Sequence, residues 1–166
     1  EQHPDKTLTC LYRPPKLKGL HDLILTARQR AHAQLVPTTA TGVKSLFKAI
    51  GQQLNIGILP DQDPGQGGGV FAPFMGINTY TISLVSRLAC KTGIPVLYIY
   101  AERLPRGQGY NIHYLAAPEE IHITDTATSV AAWNQGVESC VRELPVQYQW
   151  NYKRFKTRPP GEDRVY

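Results

Sequence analysis

Two acids and a run of glycines share one short stretch, LPDQDPGQGGGVFAPFMG at 59–76. Asp61 and Asp63 flank Gln62, and Gly65, Gly67, Gly68 and Gly69 follow. On an extended segment alternate side chains point the same way, so both carboxylates could face one cleft. There they could bind a polar head group, hold a metal ion or orient a cationic side chain. They could equally cap or brace the glycine turn. Carboxylates at the exit of a buried strand are costly to desolvate unless paired. Glycines permit positive φ and let the backbone come close to a ligand. The apolar stretch Val70 to Met75 beside this turn suits a hydrophobic substrate with a polar head.

Other chemistries are excluded by spacing. No lysine follows the glycines, so the turn is not a G-x-x-x-x-G-K-[ST] phosphate loop. An aromatic-apolar stretch follows in place of a helix, so it is not a dinucleotide fingerprint. Arg13 stands where a strand meets Pro14 and Pro15. A guanidinium there could grip phosphate or carboxylate in a bidentate manner, although a plain surface arginine fits the same position. The histidines are at 3, 21, 32, 113 and 122, and five positions beyond them stand Leu8, Thr26, Pro37, Pro118 and Ala127. No H-x-x-x-x-D/E pair therefore exists in the chain. H-E-x-x-H, G-x-S-x-G and reactive-cysteine signatures are also missing.

The chain has 166 residues, 42% apolar and 19% charged, enough for one domain with a core. Its net charge of +5 favours phosphates, nucleic acid or an anionic membrane face, or is simply a mildly basic surface. Cysteines at 10, 90 and 140 are too few and too far apart for a disulfide framework or a C-x-x-C metal site, and a reducing compartment fits. The opening EQHPDK has no signal-peptide pattern. The longest apolar run, Ile94 to Ala101, falls short of a membrane span and suits a buried strand.

The elements that must position these residues alternate. Leu8 to Tyr12 is expected to be a strand, residues 17–33 a helix, and Leu35–Val36 a short strand. Residues 43–54 are expected to form a second helix with Thr41 as its N-cap, and 55–59 a strand. Residues 79–92 carry helical spacing and stop at Gly93 and Pro95. Pro95 to Arg103 and Tyr110 to Leu115 form two strands around the turn PRGQG at 105–109. A last helix is capped by Asp125 or Thr126, has Val130, Trp133, Val137, Cys140 and Leu144 on one face, and ends at Pro145. The pattern predicts an α/β layered domain with a mixed, largely parallel central sheet, flanking helices and an antiparallel pair near 95–115. The tail from Val146 interleaves aromatics with Lys153, Arg154, Lys156 and Arg158. It could bind nucleic acid, lie at a membrane interface, or pack back through Trp150, Tyr152 and Phe155.

Four segments, YRP at 12–14, the acid-glycine block at 59–76, AERLPRGQGYNIHYL at 101–115 and QYQWNYKRFKTRPPGE at 147–162, resemble the lipid A biosynthesis acyltransferases. The resemblance implies a lysophospholipid-acyltransferase-like α/β fold over one domain, 1–166, incomplete at its N-terminus. It implies transfer of a fatty acyl group from acyl carrier protein to a hydroxyl of a Kdo-lipid A precursor, without a cofactor. It places the protein at the cytoplasmic face of a bacterial inner membrane, with an anionic membrane surface as partner and no nucleic acid. An N-terminal membrane helix and an H-x-x-x-x-D/E motif are expected upstream, so the fragment alone should be inactive. His3 cannot substitute, because Leu8 occupies the acid's position.

By the same resemblance Tyr12 and Arg13 would bind acceptor phosphate, with Arg13 able to support the oxyanion. Asp61, Gln62, Asp63 and Gly65 would contact the acceptor head group. Arg103, with Arg106 nearby, would touch phosphate. The alternatives are a lipid- or phosphate-binding module without catalysis, or a nucleic-acid-binding domain using the tail.

Overall fold

Strand Leu8–Tyr12 (β1) is the middle of a three-stranded parallel sheet. The computed structural model describes residues 8–13, 15, 17–29, 33–65 and 67–166. These divide into two compact units, one ending at Leu59 and one starting at Pro60. His3, Pro14 and His32 lie outside the described residues.

In the first unit β1 pairs with Ala33–Pro37 (β2) on one side and Asn55–Gly57 (β3) on the other. Parallel neighbours need crossovers, which helices His21–Gln29 (α1) and Ala40–Gly51 (α2) provide. Residues 18–20 form a short 3-10 turn ahead of α1. The helix expected over 17–33 is shorter, since Ala33 already belongs to β2; residues 30–32 are not described. The N-cap of α2 is Thr39 rather than Thr41, which lies inside the helix. Val43 N donates to Thr39 O at 3.0 Å, so the backbone alone starts this helix. Leu46 and Ala49 of α2, Val36 of β2 and Tyr12 of β1 are buried.

The second unit opens with the acid-glycine turn and continues into a hairpin, Gly69–Phe74 (β4) and Ile77–Ile82 (β5). The helical pattern expected from residue 79 is overturned here, because helix α3 starts only at Leu84 and runs to Thr92. Met75 and Gly76 both have positive φ, 50° and 77°, the signature of a two-residue hairpin turn. Beyond it Thr79 and Thr81 are fully buried while their neighbours are not, a period of two that a strand satisfies. The apolar residues that mimicked a longer helix, Leu84, Val85, Leu88 and Ala89, all belong to α3. Gly93 ends α3 at φ 65°, as its type predicts.

Strands Leu97–Arg103 (β6) and Tyr110–Ala116 (β7) form the expected antiparallel pair. Helix Thr126–Glu143 (α4) is capped by Asp125, whose carboxylate accepts from Thr128 N at 3.0 Å. The Thr128 hydroxyl first, and then that cap, hold the Asp125 carboxyl below its ordinary range. Val130, Trp133 and Val137 are buried as expected, and Val141 is buried where Cys140 and Leu144 were expected. Asn134 is buried too; its amide donates to Pro73 O at 3.0 Å and Thr81 Oγ1 at 2.9 Å, tying α4 to the β4–β5 hairpin. The whole is α/β, with the parallel sheet in the first unit and two antiparallel hairpins in the second.

Gly136 sets how close the β6–β7 hairpin comes to α4. A Cβ there would collide with the Tyr98 ring. The Tyr98 ring packs on Trp133 at 4.9 Å and its hydroxyl donates to Trp133 O at 3.1 Å. Gly136→Ala should therefore lower the unfolding free energy by about 2 kcal/mol through overpacking. Urea denaturation followed by tryptophan fluorescence reads this directly, since both tryptophans lie in the second unit. An unchanged midpoint would show that the hairpin is free to move away.

Candidate functional site

The carboxyl end of a parallel strand is where α/β sheets present ligand-binding groups. Tyr12 and Arg13 occupy that place on the central strand of the first unit, Tyr12 buried and Arg13 exposed. The Tyr12 hydroxyl lies 3.4 Å from His21 Nδ1, and the Arg28 guanidinium stands 5.5 Å from the centre of the Tyr12 ring. Tyr12 is thus fixed between α1 and the sheet, and the backbone delivers Arg13 from that anchor.

In the second unit the two acids part company. Residues 61–62 form a bend rather than an extended run, so the alternation that would turn both carboxylates one way does not hold. Asp63 turns inward and is 5% exposed. Its Oδ1 accepts from Gly65 N at 2.8 Å, a local turn closed by the side chain. Its Oδ2 accepts from the Thr157 hydroxyl at 2.6 Å, Lys156 Nζ stands 3.9 Å from Oδ1, and its own N–H donates to the Tyr152 hydroxyl at 2.9 Å. The Asp63 carboxylate is therefore committed to protein donors, and it braces the turn. Asp61 is half-buried near Tyr148; burial first, and then the Asp61 charge, push the Tyr148 phenol well above its ordinary range. Gln62 is exposed beside it, and Gly65 adopts φ 78°.

The tail holds this arrangement. Arg154 is 2% exposed. Its Nη1 donates to Tyr80 O at 2.7 Å and its Nη2 to Thr81 Oγ1 at 2.8 Å, with the guanidinium 5.5 Å from the centre of the Phe74 ring. Arg158 Nη1 donates to Asn78 O at 2.6 Å and its Nη2 pairs with Glu162. Asn78 and Tyr80 are two apart on β5, so their carbonyls leave the same edge. The arginines supply donors to that edge. Burial disfavours the Arg154 charge, and Tyr148, Asp61, Tyr152 and Asp63 pull the other way.

Arg103 ends β6, exposed, 5.8 Å from the centre of the Tyr110 ring. Gln147 clamps its backbone, accepting from Arg103 N at 2.8 Å and donating to Arg103 O at 3.0 Å. Tail residue Gln147 thus holds Arg103, and its neighbour Tyr148 stands near Asp61. Val70 and Phe71 are half-buried, Phe74 is buried in the core, and Met75 forms the hairpin turn.

Sequence spacing missed two groups. One is the set Arg154 and Thr157 that braces the hairpin and the turn; the reading that the tail packs back holds for Tyr152, which accepts from Asp63 N, and for Phe155, 6.0 Å from the Phe74 ring, while Trp150 stays exposed. The other is a histidine–carboxylate pair, His113 Nε2 to Glu102 Oε2 at 2.9 Å, formed across the β6–β7 hairpin. Tyr100 stacks on the His113 ring at 4.7 Å and Asn111 also donates to Glu102, so the pair fastens the two strands. These bonds hold the Glu102 carboxyl below its ordinary range. Among the described residues no three His, Cys, Asp or Glu side chains are grouped to hold a metal ion. No helix among them is long and apolar enough to cross a membrane.

The family model for bacterial lipid A biosynthesis acyltransferases matches residues 1–157. The chain belongs to that family. It is 35% identical over 121 residues to the lipid A biosynthesis lauroyltransferase of Escherichia coli K12, covering 72% of this chain and 39% of that protein. It is 28% identical over 160 residues to the palmitoleoyltransferase of the same organism, covering 96% and 51%. With the myristoyltransferase it shares 30% identity over 128 residues, covering 75% and 39%. The chain thus spans about half or less of the length of these relatives. The match takes in Arg13, both acids and the tail as far as Thr157.

The two acids should separate in a stability measurement. Asp63→Ala removes a charged acceptor from two buried or half-buried donors and should cost about 2–3 kcal/mol. Asp61→Ala should cost less than about 1 kcal/mol. Urea titrations of both variants test this, and equal costs would contradict the assignment of Asp63 as the brace.

Proposed function

We propose that this chain carries the acceptor-binding part of an acyltransferase that moves a fatty acyl group from acyl carrier protein to a hydroxyl of a Kdo-lipid A precursor. The family match over residues 1–157 is the observation that carries this reading. Arg13, exposed beyond the anchored Tyr12, would bind an acceptor phosphate or support the developing oxyanion. Asp61 and Gln62, on the outward side of the braced turn, would contact the sugar head group. Gly65 would contribute through its backbone and Arg103 through a phosphate. Asp63 enters as the residue that sets the turn's shape.

The reaction needs a base to take the acceptor hydroxyl's proton as it attacks the thioester carbonyl. No histidine of this chain has an acid five positions on, and His113 is engaged in fastening a hairpin. The base would therefore come from polypeptide outside these 166 residues, and the chain alone would not transfer acyl groups. The net charge of +5 suits an acidic carrier protein and work at the cytoplasmic face of a bacterial inner membrane.

In the full-length enzyme, Arg13→Ala and Asp61→Ala should each lower kcat/KM by tenfold or more, which is about 1.4 kcal/mol of transition-state stabilisation. His113→Ala should leave the rate within about twofold. Wild-type rates in the first two variants would remove both residues from the site. Transfer at a normal rate by the 166-residue chain alone would overturn the placement of the base.

A further inference from the structure

Among the described residues, those other than glycine with a left-handed backbone are Gln53, Met75 and Arg106. That conformation is cheap for glycine and costly for a long side chain, so each case needs a cause. Gln53 follows the end of α2, where helices routinely close this way, and its N–H donates to Ile50 O at 2.9 Å. Met75 makes the turn between β4 and β5, and its N–H donates to Glu138 Oε2 at 2.7 Å. The fold around these two residues imposes their conformation.

Arg106 has no such cause. It sits in the turn between β6 and β7 at φ 55° and ψ 27°. Gly107 and Gly109 have positive φ in the same turn, so glycine is already used there for such backbone. Leu104 N donates to Gly109 O at 2.9 Å and Gln108 N to Pro105 O at 3.2 Å, which closes the turn without the Arg106 side chain. That side chain is exposed, and among the described residues it has no hydrogen bond, ion pair or ring contact. Arg103 differs, with its guanidinium against Tyr110 and its backbone clamped by Gln147. Asparagine or glycine at 106 would relieve the backbone at no loss of contact. A side chain kept against its own backbone preference, and touching nothing inside the protein, points to a partner outside it.

The turn also has a place relative to the acids. Gln147 holds the end of β6, and the next residue, Tyr148, stands near Asp61. The tail thus ties the tip that carries Arg106 to the acid-glycine turn. Asp61 can accept from hydroxyls but repels an anion. A head group with both hydroxyls and an anionic oxygen needs a cation as well, and a guanidinium grips phosphate or carboxylate with two parallel bonds. We propose that Arg106 is a substrate-binding residue that selects the acceptor by charge, pairing with a phosphate or a sugar carboxylate of its head group. The inference rests on the acceptor-binding role proposed above.

The test compares Arg106→Asn with the wild type in two ways. In the 166-residue chain, urea denaturation should give the variant a midpoint at or above that of the wild type, because asparagine accepts left-handed backbone. In the full-length enzyme, KM for the Kdo-lipid A precursor should rise about tenfold, with a much smaller change in kcat. Arg106→Lys, which keeps the charge and loses the fork, should fall between the two. An acceptor with its sugar carboxylates methyl-esterified identifies the group. An effect of Arg106→Asn that persists there assigns a phosphate, and one that vanishes assigns a carboxylate. The proposal is overturned if KM of Arg106→Asn stays within about twofold of the wild type while Arg13→Ala and Asp61→Ala are impaired; the acceptor-binding reading then stands without it. It is also overturned if the midpoint of the variant falls below that of the wild type, because the turn itself then needs the arginine. If all three variants keep wild-type kinetics, the acceptor-binding reading fails and takes this inference with it.

Discussion

A guanidinium does not give up its proton in a protein, so burying Arg154 obliges the fold to surround it with acceptors. Tyr80 O and Thr81 Oγ1 answer that demand directly. Much of the second unit follows from it. The tail must cross β5 to place the arginine, and in doing so it brings Tyr152 and Thr157 to Asp63. Asp63 in turn closes the glycine turn through Gly65. Thr81 links the same arginine to Asn134 on α4. A C-terminal segment that looks like a solvated basic arm is thus a structural strap, and the acid-glycine turn keeps its shape because the strap is there.

This division separates an acid committed to the fold from one that is not. Asp63 has every oxygen engaged and is sealed from water. Asp61 sits one step outward, with Tyr148 near it and Gln62 exposed beside it. Under the proposed head-group role, a rigid turn with an outward carboxylate would meet its ordering cost during folding and not on binding. The same logic applies to Tyr12 and Arg13, where a buried ring anchors an exposed cation.

Local patterns were enough for much of the fold. The apolar period of α4, its Asp125 cap, the β6–β7 hairpin around PRGQG and the short strands β1 and β2 all follow from neighbours in the chain. β5 was hidden because INTYTI lies next to a true helix whose apolar residues extend its spacing backwards, and because Met75 does not announce a left-handed turn as asparagine would. The pairing of Asp63 with Thr157 joins residues 94 apart, and no local pattern encodes it. The His113–Glu102 pair escaped for the same reason: its spacing is set by strand register, whereas a motif search looks along the chain. The candidate residues at strand ends, Arg13 and Arg103, were readable as positions, while their surroundings needed tertiary structure.

The most direct test of the strap is a double-mutant cycle between Asp63→Ala and Thr157→Val, measured by equilibrium unfolding. A short hydrogen bond to a buried carboxylate predicts a coupling of about 1.5–2.5 kcal/mol. A coupling indistinguishable from zero would mean that the tail lies beside the acid-glycine turn without holding it, and the account given for Asp61, Asp63 and Arg154 would fail together.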